Sequence, residues 1–92
     1  MSDDKLQNKI YRAARAKALL NDEMLKECLD RLESVITADW QNAKETATRE
    51  HLWFELQGLR GFRQLLTNMI SGGALAQREL DDLIAKQERE RV

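Results

Sequence analysis

From Leu25 to Trp40, apolar side chains return at Leu25, Leu29, Leu32, Ile36 and Trp40, three or four residues apart. From Leu52 to Ile70 the pattern recurs at Leu52, Leu56, Leu59, Leu66 and Ile70. This spacing puts each set on one face of an α-helix, whereas a half-buried strand needs a period of two. Met24, Cys28 and Val35 widen the first stripe, and Trp53, Phe62 and Met69 the second. The 92 residues contain no proline, so nothing forbids long helices. Charged residues at 34% and aromatics at 5% also favour helix over sheet.

The chain reads as one all-α domain, residues 1–92. A short N-terminal helix is expected from about Asp3 to Leu20, with Leu6, Ile10, Ala13, Ala14, Ala18 and Leu19 near a 3.6 period. "LNDEML" interrupts it, with Asn21 as the expected N-cap and Asp22 and Glu23 suited to the positive end of the next helix. The second helix is expected from about Asp22 to Asn42. After the polar break "NAKETATRE", Thr46 or Thr48 can cap a third, from about Thr48 to Ile70. A short connection between two long amphipathic helices makes an antiparallel hairpin, with Trp40 and Trp53 near its closed end. "SGG", Ser71 to Gly73, is expected to stop the third helix through a left-handed cap, and a short C-terminal helix follows. Two facing helices cannot enclose stripes this wide, and so small a chain has little core of its own, so a homo-oligomer is expected.

Several function classes are disfavoured. The net charge of −1 does not suit a duplex nucleic-acid binder. A single cysteine, Cys28, excludes an internal disulfide framework and a cysteine-rich zinc site. No apolar run approaches 18 residues, and "MSDDKLQNK" lacks the apolar core of a signal peptide, so no membrane partner and a cytoplasmic location are expected. His51 is the only histidine, expected near a helix start and partly exposed. Cys28 lies among acids on an apolar stripe and reads as a buried small hydrophobe. The carboxylates fall in i,i+4 pairs with cations, such as Glu27 with Arg31 and Asp82 with Lys86. No phosphate loop, dinucleotide fingerprint or zinc-protease motif occurs. Neither an enzyme nor a metal or cofactor protein is expected.

Two constellations stand out. Gly58 and Gly61 interrupt a strong helix at "ELQGLRGFRQLL". They read as a place of close helix–helix approach, or as a gap that admits a ligand. Arg60 and Arg63 could meet an anion there, and Thr67, Asn68 and Ser71 continue the helix with small hydrogen-bonding groups. The second constellation is Tyr11, with Arg15 at i+4, Asn8 and Arg12 nearby, and Lys26 across the "LND" bend. An amphipathic tyrosine with a wet hydroxyl is one account. A stacking platform is the other: a nucleobase lies on the ring while arginine or lysine meets a phosphate or the base.

A short N-terminal helix, two long antiparallel helices, and Tyr11 and Lys26 in the first two resemble the anti-CBASS cyclic-oligonucleotide sponges of tailed phages. CBASS is a bacterial defence in which a cyclase product activates a killing effector. The resemblance implies an all-helical, interlocked homohexamer in the host bacterial cytoplasm. It would hold cyclic dinucleotides such as 3′,3′-cyclic GMP–AMP between protomers without cleaving them. Tyr11 and Lys26 would each pack on a base, with Arg12, Arg15 and Asn8 in support. Some members of that family also hold cyclic trinucleotides in separate pockets, for which this chain offers Arg63, Thr67, Asn68 and Ser71. Cys28 departs from the pattern, since a hydroxyl would serve that pocket better. The competing expectation is a helical phage structural or adaptor protein acting through protein contacts.

Overall fold

The computed structural model describes residues 3–91 and is all-helical over them. Helix α1 spans Asp3–Asn21, α2 Glu23–Asn42 and α3 Thr46–Glu90. Cα proximity divides the chain into two compact units. The first joins α1 as far as Ala18 to α3 from Leu66 onward. The second comprises residues 19–65: the end of α1, all of α2, and the first part of α3.

In the second unit, α2 and α3 form the expected antiparallel hairpin. Arg63 of α3 reaches Asp30 at 2.9 Å, and Arg60 reaches Glu33 at 3.8 Å. Farther back along α3, Arg49 reaches the Trp40 carbonyl at 2.9 Å. Residue numbers fall on one helix as they rise on the other. Leu29 and Ile36 of α2 and Leu56 and Leu59 of α3 are buried. Full burial of one such aliphatic side chain contributes ~1.5–3 kcal/mol.

The bend between α1 and α2 is one residue long, and its cap is Asp22, not Asn21, which closes α1. Asp22 has φ −70 and ψ 122, and its Oδ1 accepts the Leu25 N–H at 2.8 Å. The carboxylate both satisfies an orphan donor and faces the positive end of the helix dipole, so the acid outcompetes the amide beside it.

The expected stop at Ser71–Gly73 is absent. α3 continues through it to Glu90, so there is no separate C-terminal helix, and no glycine among the described residues has positive φ. The physical reason lies in the first unit. Gly73 is buried against α1, where a Cβ would collide with that of Ala13 and come within 3.3 Å of the Lys9 carbonyl oxygen. Glycine serves here as a missing side chain that lets two helices approach, not as a left-handed cap. Leu6, Ala13 and Ala16 of α1 and Leu66 and Ala76 of α3 are buried in this unit. Small residues on both helices give the same close contact.

Gly58 and Gly61 take part in no close approach within the chain. A Cβ at either would meet nothing within 4 Å. Each still costs about 1 kcal/mol relative to alanine inside a helix. The close approach inside the chain occurs at Gly73 alone among its four glycines.

Gly73→Ala should therefore destabilise the protein despite alanine's better helix propensity. Overpacking of this kind costs ~1–3 kcal/mol. Urea denaturation followed by circular dichroism reads it as a lowered midpoint. An unchanged or raised midpoint would show that α1 does not rest on Gly73.

Candidate functional site

Helix α1 docks through Leu6, Ala13 and Ala16, which leaves its opposite face outward. Asn8, Tyr11, Arg12 and Arg15 are spaced i, i+3, i+4 and i+7 and are all exposed. At about 100° per residue they form one stripe on that outward face. Tyr11 is 60% exposed, and the Arg15 guanidinium carbon lies 5.7 Å from its ring centroid. An exposed cation–π pair of this kind is worth ~0.5–1 kcal/mol. It holds the ring and one positive charge together, with the ring broadly open to solvent. Spacing in the sequence predicts that these four residues lie near one another, and in the structure they share a single face.

Lys26 belongs to the other unit, in the second turn of α2, and is exposed. Asp30, Glu33 and Thr37 follow it on the same face at i+4, i+7 and i+11. A cation this near a helix N-terminus gains nothing from the helix dipole.

The residues assigned to a trinucleotide pocket divide between the units. Arg63 is in the second, half-buried, with Nη2 at 2.9 Å from Asp30 and 3.7 Å from Glu33. Its charge is already met by two carboxylates, which opposes capture of an anion there. Thr67, Asn68 and Ser71 belong to the first unit and are exposed. All four lie on α3, at i, i+4, i+5 and i+8.

The closed end of the hairpin holds a cluster whose key residue the sequence did not reveal. Trp40, Thr46, Arg49, Glu50, Trp53 and Phe54 line a groove of about 550 Å³. The Arg49 guanidinium carbon lies 4.3 Å from the Trp40 ring centroid. Its Nη1 donates to the carbonyls of Trp40 at 2.9 Å and Ala43 at 3.2 Å. These carbonyls sit at the end of α2, where the next turn's donors are missing. Trp53 packs edge-on to Phe54, with ring centroids 5.3 Å apart. The aromatic–basic composition suits a ligand, but the cation is committed to closing α2. The pairing of Arg49 with Trp40 follows no helical period, because it crosses the turn.

Two other candidates resolve simply. Cys28 is exposed, contrary to the buried reading, because its flank of α2 turns away from α3. His51 is exposed, with Nε2 2.9 Å from Glu55, its i+4 neighbour. Among the described residues no group of three histidine, cysteine or carboxylate side chains is placed to hold a metal, and no helix is long and apolar enough to cross a membrane. In comparisons with known proteins, no family model matches the chain, and no curated protein or solved structure is significantly similar to it.

Arg49→Ala removes the stacked cation and two hydrogen bonds to helix-end carbonyls. Hydrogen bonds from charged groups contribute about 1.5–3 kcal/mol, so a loss of about that size is expected. Arg49→Lys keeps the charge but loses the planar stack, and should fall between. Denaturation followed by tryptophan fluorescence checks both. Equal stability of all three proteins would remove Arg49 from the account of the hairpin turn.

Proposed function

We propose that the chain binds and sequesters cyclic oligonucleotide second messengers without cleaving them. Cyclic dinucleotides such as 3′,3′-cyclic GMP–AMP are the leading ligands. In this reading the protein is a phage anti-defence sponge, a homo-oligomer of hexameric order in the host bacterial cytoplasm, that keeps the signal from CBASS effectors. The observation that carries the proposal is the outward stripe of Asn8, Tyr11, Arg12 and Arg15, with its ring and guanidinium already paired. The resemblance of Tyr11 and Lys26 to the sponge family's base-contacting pair supplies the ligand class.

The chemistry is complementary. A cyclic dinucleotide has two π-faces and two negative charges. One stripe provides one aromatic surface and the cations of Arg12 and Arg15. A two-fold pair of stripes would provide both halves of a symmetric site. Lys26, exposed on α2, would supply a further cation for a base or phosphate. The engagement of Arg63 with Asp30 and Glu33 ranks a trinucleotide pocket at Arg63, Thr67, Asn68 and Ser71 behind the dinucleotide site.

The second reading is a helical phage structural or adaptor protein. It is favoured by the exposed Phe54, Phe62 and Leu65, which a protein partner could cover.

Calorimetric titration with 3′,3′-cyclic GMP–AMP, with linear dinucleotide as control, decides between them. Saturable binding is expected, with the ligand recovered intact. A base–aromatic stack is worth ~1–3 kcal/mol, so Tyr11→Ala should weaken binding by roughly ten- to a hundredfold or more, with Tyr11→Phe close to wild type. Lys26→Ala should also weaken it. Absence of heat with cyclic di- and trinucleotides would overturn the sponge reading. Normal binding by Tyr11→Ala would overturn the site.

A further inference from the structure

The hairpin of the second unit has two unlike sides. One carries the ion pairs of Arg60 and Arg63 with Asp30 and Glu33. The antiparallel register they set places Cys28 level with Leu65, Leu32 with Gly61, and Val35 with Gly58. At about 100° per residue, Met24, Cys28, Leu32 and Val35 fall on the flank of α2 away from those ion pairs. Gly58, Phe62 and Leu65 fall on the matching flank of α3, and Phe54 and Gly61 border it. Met24, Leu32, Val35, Phe54, Phe62 and Leu65 are each 45% to 65% exposed. Together they present on the order of 600 Å² of apolar surface, the upper end for a monomer's largest patch and close to the ~800 Å² per partner of a standard interface.

The two glycines identify the occupant. Each weakens the helix relative to alanine, and a Cβ added at either would meet nothing within 4 Å beyond its own stretch of helix. Gly73, on the same helix, shows the use of such a gap: another helix fills it. Gly58 and Gly61 leave two holes beside two knobs, Phe62 and Leu65. An antiparallel two-fold centred between residues 61 and 62 sets Gly61 opposite Phe62 of the other copy, and Gly58 opposite its Leu65. Holes and knobs then match on one self-complementary surface, as an isologous contact requires. Charged residues near the patch carry both signs, in Glu27 with Arg31 and His51 with Glu55. No single-signed field opposes a second copy.

We propose that this face is where a second copy of the chain docks, α3 against α3 across a two-fold axis, with Phe62 and Leu65 of each copy seated over Gly61 and Gly58 of the other. The proposal rests on the homo-oligomer of the proposed function and names a contact within it; it is read by mass and nucleotide binding by titration heat, so either can fail while the other holds.

Analytical ultracentrifugation of the full chain should give at least twice 10.7 kDa. Gly58→Leu with Gly61→Leu finds open space within the chain, so the helical signal in circular dichroism should persist while the mass falls to that of one chain. Wild-type protein that sediments as a monomer up to hundreds of micromolar would overturn the proposal. So would a leucine double variant that keeps the wild-type mass. The sole cysteine provides a second readout that needs no variant. Cys28 is exposed in the isolated chain but lies on the docking face, so alkylation should be at least tenfold slower in the assembly than in urea and should accelerate on dilution. Reaction at the unfolded rate, or protection that ignores concentration, would overturn the proposal even if the double variant failed to fold.

Discussion

The contact between Gly73 and Ala13 sets the arrangement of the first unit. It lets α3 pass unbroken through a sequence that would ordinarily end a helix, and it decides which side of α1 is buried. Once Leu6, Ala13 and Ala16 face α3, the 3.6-residue period leaves Asn8, Tyr11, Arg12 and Arg15 no choice but the outward face. A larger residue at Gly73 would require α1 to shift or rotate, and the stripe that carries the proposed function would move with it. Packing of small residues thus positions the proposed binding face, which lies on the other side of α1.

The second unit is organised by a different device. Its buried residues are few, and half-buried Arg63, held between Asp30 and Glu33, fixes the register of α2 on α3. Exposed ion pairs contribute only ~0.2–1 kcal/mol, so these pairs specify alignment more than they supply stability. Stability in a two-helix layer comes from apolar burial, and much of this hairpin's apolar surface is still uncovered. The same register that seats the ion pairs on one side gathers Met24, Leu32, Val35, Phe62 and Leu65 on the other. The ion pairs that specify alignment within the chain and the face proposed for association between chains lie on opposite flanks.

Arg49 links these themes at the closed end. α2 ends in carbonyls that lack partners, and a single guanidinium from the start of α3 satisfies two of them while covering Trp40. A cation there is favourable both to the helix dipole and to the indole face. An aromatic–basic cluster is therefore not by itself a ligand site. What separates Tyr11 from Trp40 is availability: Arg15 touches the tyrosine from its own helix and leaves much of the ring open, whereas Arg49 is consumed by the backbone.

Local periodicity determined much of this protein. The stripes from Leu25 to Trp40 and from Leu52 to Ile70, with proline absent, dictated long helices and an antiparallel hairpin. Spacing alone put Asn8, Tyr11, Arg12 and Arg15 within one another's reach on α1. These features are legible because they depend on residues three or four apart. The tertiary structure decided what depends on distant residues. "SGG" is compatible with a cap or a close approach, and only the arrival of α1 chose the latter. Gly58, Gly61 and Gly73 are alike in sequence as places for close approach, and within the chain only Gly73 makes one, because Ala13 lies opposite it. Cys28 and Leu32 belong to an apolar stripe wider than one neighbouring helix can cover, so their exposure was settled by where α3 lies. A glycine's meaning and an apolar residue's burial are set by what stands across from them, and a linear sequence does not contain that neighbour.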